Sequence, residues 1–305
     1  MRILVVRLSS MGDVIHALPA VASLKHSFPH SHLTWVIRHR WTPLLKNNPF
    51  VDEVIPFERT LAGILETRRK LRETRFDLAI DFQGLLQSAL VAAAARPDRI
   101  AGFHRSQVRE KAAALFYSLC VEARAPHVVD RNLELVSAAG ASSLLHTFSL
   151  PEGSPEGILP DGKFVLASPL AGWGSKQWPV EFYQQLAARL DMPLVVNGPP
   201  DSAEILSTIR GAHVHLSGIA GLINATRRAQ AVIGVDSGPL HLAAALSKPG
   251  VAIFGPTDPL RNGPYGGTIR VLRSTGVTTS YKRASGTHDS MREISPEDVL
   301  EALPA

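Results

Sequence analysis

The chain contains a single cysteine, Cys120, among 305 residues. One thiol cannot form an internal disulfide, and it excludes a zinc site built mainly from thiolates. No apolar run approaches the roughly 18 residues of a membrane-spanning helix. The opening residues, MRILVVR, are interrupted by charge too early to provide the apolar region of a signal peptide. These absences favour a protein of a reducing cytoplasm.

Acidic residues are too few in the first half of the chain to balance its basic residues. Residues 1–150 contain 19 Lys and Arg against 13 Asp and Glu, a net charge of +6, whereas residues 151–305 have a net charge of −1. This surplus of positive charge has two equally good interpretations. It is either an ordinary solvated surface or a surface that faces an anionic partner, such as phosphate groups, a membrane or nucleic acid. Zinc-finger spacings and ribonucleoprotein-type aromatic motifs are absent, so no nucleic-acid partner is expected.

Short β-branched runs alternate with helical patterns, which predicts mostly parallel sheets covered on both faces. The predicted strands are Ile3–Val6, Leu33–Ile37, Val54–Pro56, Leu78–Ile80, Phe164–Ala167, Leu194–Val196, Ala231–Gly234, Val251–Phe254 and Ile269–Leu272. Proline and glycine are dense over residues 147–162, which indicates a linker. We therefore expect an α/β fold of two doubly wound, Rossmann-like domains, residues 1–155 and 156–305, that face a central cleft. A helix capped by Ser295 is predicted to end the second domain.

A small-residue turn, Ser9-Ser10-Met11-Gly12-Asp13, follows the first predicted strand and opens a helix. Such a turn exposes backbone N–H groups to a ligand, although the dinucleotide fingerprint G-x-G-x-x-G is absent. Asp13 is predicted either to cap the helix or to act as a general base. A carboxylate suits the second role because a hydroxyl nucleophile has a very high pKa and must lose its proton during attack.

The loop at residues 171–179, AGWGSKQWP, follows the first strand of the second half. Its backbone donors and the ammonium of Lys176 suit a diphosphate, although the loop is not a Walker A motif. A lysine that is merely solvated in a surface turn explains the pattern equally well.

A third run, Asp236-Ser237-Gly238-Pro239, joins a buried strand to a helix that carries His241 on its first turn. The free N–H groups of this helix start offer a platform for phosphate and sugar. Asp236 could instead be a simple cap, and His241 could be a core histidine bonded to a carbonyl. A fourth run, residues 254–259, is rich in turn formers and is predicted to shape the same pocket.

These four runs resemble glycosyltransferase family 9, the ADP-heptose:lipopolysaccharide heptosyltransferases, and in particular its heptosyltransferase I members. Further matches are residues 80–85, Arg109-Glu110 and residues 115–117, in the family's order across nearly the whole chain. The resemblance implies a GT-B fold and an inverting, metal-independent transfer of heptose from ADP-L-glycero-D-manno-heptose to Kdo. The N-terminal domain would receive Kdo2-lipid A, and the C-terminal domain would receive the nucleotide sugar.

By this resemblance Asp13 is the catalytic base and Lys176 meets the donor's phosphates. The other predicted donor-binding residues are Ser9, Ser10, Gly12, Gly172, Trp173, Gly174, Ser175, Asp201, Asp236, Ser237, Gly238 and His241. The predicted acceptor-binding residues are Gln83, Arg105, Arg109 and Lys111. No metal or other cofactor is expected, and no Asp-x-Asp pair is present to hold a metal.

The basic first half also suggests peripheral contact with the cytoplasmic face of the inner membrane, because Lys and Arg are attracted to anionic lipid. One candidate cluster is Arg68, Arg69, Lys70, Arg72 and Arg75, for which a solvated helix face is an equally good interpretation.

Two departures from the family leave the donor open. A family glutamate that contacts the nucleotide ribose falls near Ser202, with Asp201 and Glu204 close by, and a threonine pair is replaced by Ala171-Gly172. A transferase for another sugar nucleotide, a GT-B-type epimerase and a non-catalytic nucleotide-sugar or lipid-head-group binding protein therefore remain alternatives.

Overall fold

The computed structural model describes residues 1–281, 284 and 286–304 and divides into two compact units, Met1–Pro151 and Glu152–Ala305. Each unit is built on one parallel six-stranded sheet. Strand interiors are almost entirely apolar and buried, as in Ile3–Val6, because helices cover both faces of such sheets.

The first sheet has the strand order β3-β2-β1-β4-β5-β6. Its strands are β1 (Arg2–Val6), β2 (His32–Arg38), β3 (Glu53–Phe57), β4 (Leu78–Asp81), β5 (Arg99–Phe103) and β6 (Leu119–Val121). Its α-helices are α1 (Met11–Ser27), α2 (Leu61–Arg72), α3 (Leu86–Ala94) and α4 (Val128–Ala138), and 3-10 helices occupy His39–Leu45 and Lys111–Phe116. The order reverses at β1 and β4, which are hydrogen-bonded neighbours.

The second sheet repeats this order as β12-β11-β10-β7-β8-β9. Its strands are β7 (Val165–Ser168), β8 (Leu194–Gly198), β9 (His213–Leu216), β10 (Ala231–Val235), β11 (Gly250–Phe254) and β12 (Ile269–Arg273). Its α-helices are α5 (Val180–Ala187), α6 (Ala203–Ser207), α7 (Ile219–Arg228), α8 (Gly238–Ala245), α9 (Pro259–Asn262), α10 (Asp289–Arg292) and α11 (Pro296–Ala302), and 3-10 helices occupy Gly174–Lys176 and Pro200–Ser202.

Both sheets place a topological switch point beside their first strand, between β1 and β4 and between β7 and β10. Ligands of open α/β sheets bind in the crevice outside the carboxyl ends of the strands at such points. The topology therefore brings the loops after β1 and β4 together in the first unit. It does the same for the loops after β7 and β10 in the second.

All nine predicted strands are present, but β5, β6 and β9 were missed. Gly102 interrupts β5, β6 is only three residues long, and two histidines occupy β9, so none has a clear apolar signature. Helix α1 begins at Met11, which places Gly12 and Asp13 inside its first turn. Within the described part of the chain, no helix combines the length and apolar character needed to cross a bilayer.

The predicted linker has no regular secondary structure, and hydrogen bonds tie its two ends to different units. Asn48 Nδ2 donates to the Ser149 carbonyl at 2.9 Å in the first unit. Glu156 accepts from the Gly218 N–H at 2.7 Å in the second unit.

Candidate active site

The crevice of the first unit contains an ion pair between Arg7, which follows β1, and Asp13, in the first turn of α1. Arg7 Nη2 lies 2.5 Å from Asp13 Oδ1, and the backbone N–H and the hydroxyl of Ser10 both donate to Asp13 Oδ2 at 2.8 Å. Arg7 also donates to the Phe82 carbonyl in the loop after β4. The Asp13 side chain keeps 38% of its surface exposed, so its carboxylate is oriented and still reachable from solvent.

Asp13 is therefore the third helical residue of a capping box on α1, whose N-cap is Ser10. Capping does not exclude acid–base chemistry, because an ionised carboxylate has about four lone-pair sites. The dipole of α1 favours a negative charge at this position.

The loop after β4 is shaped by a second carboxylate, Asp81, which is completely buried. Asp81 Oδ2 accepts from Tyr117 Oη at 2.7 Å and from Ser88 Oγ at 2.8 Å, while Oδ1 accepts from the backbone N–H groups of Gln83 and Gly84. Burial raises the pKa of Asp81, and these hydrogen bonds offset that effect only in part. Asp81 is a structural group that sets the course of this loop.

The four predicted acceptor-binding residues occupy two neighbouring loops of the first unit. Gln83 follows β4 and accepts from the Leu8 N–H at 2.8 Å, so its amide also positions the turn after β1. Arg105 and Arg109 lie exposed between β5 and the 3-10 helix Lys111–Phe116, and Lys111 is the exposed first residue of that helix. None of the three forms an ion pair with any residue that the structure describes.

The crevice of the second unit brings the second and third sequence motifs together. Lys176 Nζ lies 2.6 Å from Asp236 Oδ2 and 4.3 Å from the centroid of the Trp173 ring, while His241 Nε2 lies 3.5 Å from Asp236 Oδ1. Only 14% of the Lys176 side chain and 5% of the Asp236 side chain are exposed. Burial raises the pKa of Asp236, but His241 and the charge of Lys176 outweigh burial and hold that pKa well below its usual range.

Three buried hydroxyls lie in the loops that surround this ion pair. Ser175, Ser237 and Thr257 follow β7, β10 and β11, which are consecutive in the sheet. The hydroxyl oxygen of each is buried and has no hydrogen-bond partner among the described residues. Because a buried hydroxyl without a partner is costly, these groups indicate a polar ligand at this edge.

The remaining predicted donor-binding residues lie at the same edge of the second sheet or in the turn after β1. Gly172 faces open space, Gly174 begins the 3-10 helix that ends at Lys176, and Gly238 begins α8. Asp201 is exposed in the 3-10 helix after β8. In the first unit Ser9 precedes the Ser10 cap, and Gly12 is buried in α1.

Sequence reasoning missed Arg7 as the partner of Asp13, Trp173 as the ring beneath Lys176, and the Asp81–Tyr117 hydrogen bond. Arg7 and Trp173 lie in the same sequence motifs as Asp13 and Lys176, so their closeness along the chain could have indicated these contacts. Tyr117 is 36 residues from Asp81, and only the pairing of β4 with β5 brings it near. The described residues contain no cluster of three or more His, Cys, Asp or Glu that could hold a metal ion.

Comparison with known proteins decides the family. Residues 64–288 match the model of glycosyltransferase family 9 (heptosyltransferase). Lipopolysaccharide heptosyltransferase 1 of Pseudomonas aeruginosa is 32% identical over 87% of this chain and 82% of its own length. The chain belongs to glycosyltransferase family 9. It is therefore a glycosyltransferase.

Solved structures agree with this family and with its fold. The E. coli heptosyltransferase WaaC with ADP has a TM-score of 0.78 and 25% identity, covering 99% of this chain and 98% of its own. The same enzyme with ADP-2-deoxy-2-fluoro heptose has a TM-score of 0.77 and 26% identity at the same coverage. The predicted α/β, GT-B fold of two Rossmann-like sheets is thereby confirmed.

Proposed function

We propose that this glycosyltransferase moves heptose from ADP-L-glycero-D-manno-heptose to a Kdo residue of the lipopolysaccharide inner core, in Kdo2-lipid A. The proposal is supported by the name of the Pseudomonas relative and by the ligands of the WaaC structures. The observation that carries it is the buried Lys176–Asp236 pair among the unpartnered hydroxyls of Ser175, Ser237 and Thr257. This combination suits the diphosphate of a nucleotide sugar.

In this scheme the second domain, residues 156–305, binds the donor. Lys176 neutralises the diphosphate, and the hydroxyls with the N-terminus of α8 donate hydrogen bonds to it. Asp236 orients Lys176 through their ion pair, and His241 contacts Asp236 from the other side. These preorganised donors stabilise the departing ADP, so no step requires a metal.

The first domain, residues 1–155, binds the acceptor. Asp13 takes the proton from the attacking Kdo hydroxyl while the bond to the anomeric carbon forms and the bond to ADP breaks. Arg7 and Ser10 hold the carboxylate in place for this transfer. One base is enough for a single displacement, which inverts the anomeric configuration. Gln83, Arg105, Arg109 and Lys111 face the anionic acceptor, and the enzyme works in peripheral contact with the cytoplasmic face of the inner membrane.

The decisive test is incubation of the purified protein with ADP-heptose and Kdo2-lipid A, followed by mass spectrometry of the lipid. We expect a product heavier by one heptose, an inverted anomeric linkage by NMR, and an unchanged rate in EDTA. Titration of ADP against UDP and GDP tests the donor class. Tight binding of UDP or GDP in place of ADP would move the assignment to another sugar nucleotide. Binding of ADP-heptose with no product would indicate a non-catalytic protein.

A further inference from the structure

Exposed apolar side chains are concentrated on one face of the first unit. Eight large hydrophobic side chains are exposed within the described residues of this unit, and six of them lie on α2, α3 and the 3-10 helix Lys111–Phe116. These six are Leu61, Ile64, Leu65, Leu86, Leu90 and Leu115. Helix α3 packs against both α2 and this 3-10 helix, so the three elements form one surface, which we name the α2–α3 face.

Helix α2 presents two kinds of side chain along its outward stripe. Leu61, Leu65, Arg68 and Arg72 recur at spacings of four, three and four residues, which aligns them on one side of a helix. Thr67 and Leu71 are the buried residues of this helix. The outward stripe is therefore apolar at the start of α2 and cationic at its end.

The cations on this face differ in whether they are neutralised. Arg69 and Lys70 form ion pairs with Glu73 and Glu66 within α2 itself. Arg68, Arg72 and Arg96 have no acidic partner among the residues that the structure describes. Desolvation and the nearby charges of Arg68 and Arg96 lower the pKa of Arg72. Arg72 is repelled by both Arg68 and Arg96, so this face presents cations without counter-ions among the described residues, beside exposed leucines, and suits an anionic, partly apolar partner.

We propose that the α2–α3 face docks on an anionic lipid bilayer, with its leucines in the interfacial layer and Arg68, Arg72 and Arg96 against lipid phosphates. Apolar side chains beside Lys and Arg are the combination that binds membrane surfaces. A second copy of the chain is a poorer occupant, because a two-fold contact pairs this face with itself and so adds no excess of negative charge to it. The docking rests on the proposed function, since it would hold the enzyme beside a lipid-linked acceptor.

The test is binding of the full chain to vesicles of phosphatidylethanolamine with phosphatidylglycerol, compared with vesicles of phosphatidylcholine. We expect clear preference for the anionic vesicles and weakening by salt. Arg68→Gln with Arg72→Gln should weaken binding about thirtyfold, the usual effect of two basic side chains at an anionic leaflet. Leu61→Gln with Leu65→Gln should weaken it at least about tenfold and leave the salt dependence in place.

Matched controls come from the second unit. Ile158→Gln replaces a side chain with 76% exposure, against 75% for Leu61. Arg210→Gln with Arg270→Gln removes two exposed cations without ion pairs among the described residues. Both controls should bind vesicles like the unmodified chain. Equal loss in the controls, absence of vesicle binding, or loss of a dimer in the leucine variant would overturn the proposal.

An assay without membrane separates this inference from the proposed function. All four variants should transfer heptose at the unmodified rate to a delipidated, soluble Kdo acceptor, because none of the substituted residues belongs to either crevice. Vesicle binding with no transfer to either acceptor would refute the proposed function and leave the docking intact. Transfer to the soluble acceptor with no vesicle binding would refute the docking alone.

Discussion

Each unit ends the fourth strand of its sheet with a buried aspartate, and the two aspartates have opposite properties. Asp81 closes β4 among neutral donors, the hydroxyls of Tyr117 and Ser88 and two backbone N–H groups. Asp236 directly follows β10 and faces Lys176 and His241. Burial raises the pKa of Asp81, whereas the hydrogen bond from His241 and the charge of Lys176 overcome burial and lower the pKa of Asp236. The partners of each aspartate, and not its burial, set the difference.

This contrast also separates structural from candidate functional roles. In the first unit the fourth-strand aspartate is fully hydrogen-bonded inside the fold, and the reachable carboxylate is Asp13, on the other side of the switch point. In the second unit the fourth-strand aspartate holds a lysine that lies at the crevice. The aspartates at these two equivalent positions therefore differ in role. Asp81 supports a loop, whereas Asp236 positions the charge of a lysine.

The largest loss of activity is expected from a substitution at Asp13, the carboxylate of the first unit that solvent can reach. Asp13→Ala should lower kcat by about 10²- to 10⁴-fold, the usual contribution of a general base. The affinity for ADP should be unchanged, because in the proposed scheme Asp13 contacts the acceptor and not the donor. Steady-state kinetics and ADP calorimetry measure the two quantities.

Asp52→Asn is the matched control for Asp13. Its side chain is 32% exposed and paired with Lys25, but it lies before β3, at the opposite edge of the sheet. This variant should keep its turnover. An Asp13→Ala enzyme within a few-fold of the unmodified rate would remove the base assignment and leave Asp13 as a cap.

Lys176→Met removes the buried ion pair of the second unit and keeps a side chain of similar length at position 176. Removing one partner of a buried pair costs about 3–5 kcal/mol, since Asp236 then loses its counter-ion. The free energy of unfolding from urea titration should fall accordingly, and ADP binding should weaken as well. If ADP affinity stays the same, the lysine is a structural group like those around Asp81.

Lys25→Met provides the comparison for that variant. Lys25 is 17% exposed and lies 2.7 Å from Asp52, so the substituted side chain is similar in burial to Lys176. Its partner is the more exposed of the two aspartates, so the loss of stability should be smaller. ADP binding should be unaffected, because Lys25 lies at the end of α1, away from both crevices.

The two buried aspartates should give stability opposite dependences on pH. The pKa of Asp236 is lowered on folding, so its stabilising contribution is present above about pH 4 and is lost as pH falls through the acid range. The pKa of Asp81 is raised, so its contribution is present below about pH 4 and is lost as pH rises through its folded value. Hydrogen exchange of the backbone amides in β10 and in β4 measures the stability of each unit separately.

Asp236→Asn and Asp81→Asn test these signs. Relative to the unmodified protein, the deficit of the Asp236 variant should shrink as the solution is acidified. The deficit of the Asp81 variant should grow on acidification. Parallel behaviour of the two variants would contradict the assignment of opposite pKa shifts.

Much of this architecture could be predicted from the sequence. Apolar runs such as Ile3–Val6 indicate a parallel sheet, and small-residue turns indicate where a strand ends and a helix begins. The pairing of Lys176 with Asp236 was within reach, because both motifs follow strands beside the switch point. Two of the missed strands, β6 and β9, are short edge strands, which are stabilised by a neighbouring strand rather than by their own composition. The third, β5, is interrupted by Gly102 and has no clear apolar run.

Tertiary contacts between distant residues were the part that the sequence could not supply. Nothing local links Asp81 to Tyr117, which lies 36 residues later, after the 3-10 helix Lys111–Phe116, with its ring against Gly102 of β5. The exposed leucines of α2 and α3 were equally invisible, because helical periodicity does not reveal which neighbouring elements leave a face uncovered.

The smallest effect is expected from a substitution next to Asp81, the aspartate with a structural role. Tyr117→Phe removes the hydroxyl that donates to Asp81 Oδ2 at 2.7 Å and leaves the ring that packs over Gly102. Leaving a buried acceptor without its donor costs about 1–3 kcal/mol, so the free energy of unfolding should fall by that amount. Loss of the donor should also raise the pKa of Asp81 further, which steepens the decline of stability with rising pH. Turnover per folded molecule should be retained, because Asp81 supports the loop after β4 from inside; a drop in kcat with unchanged stability would instead place Asp81 in the reaction.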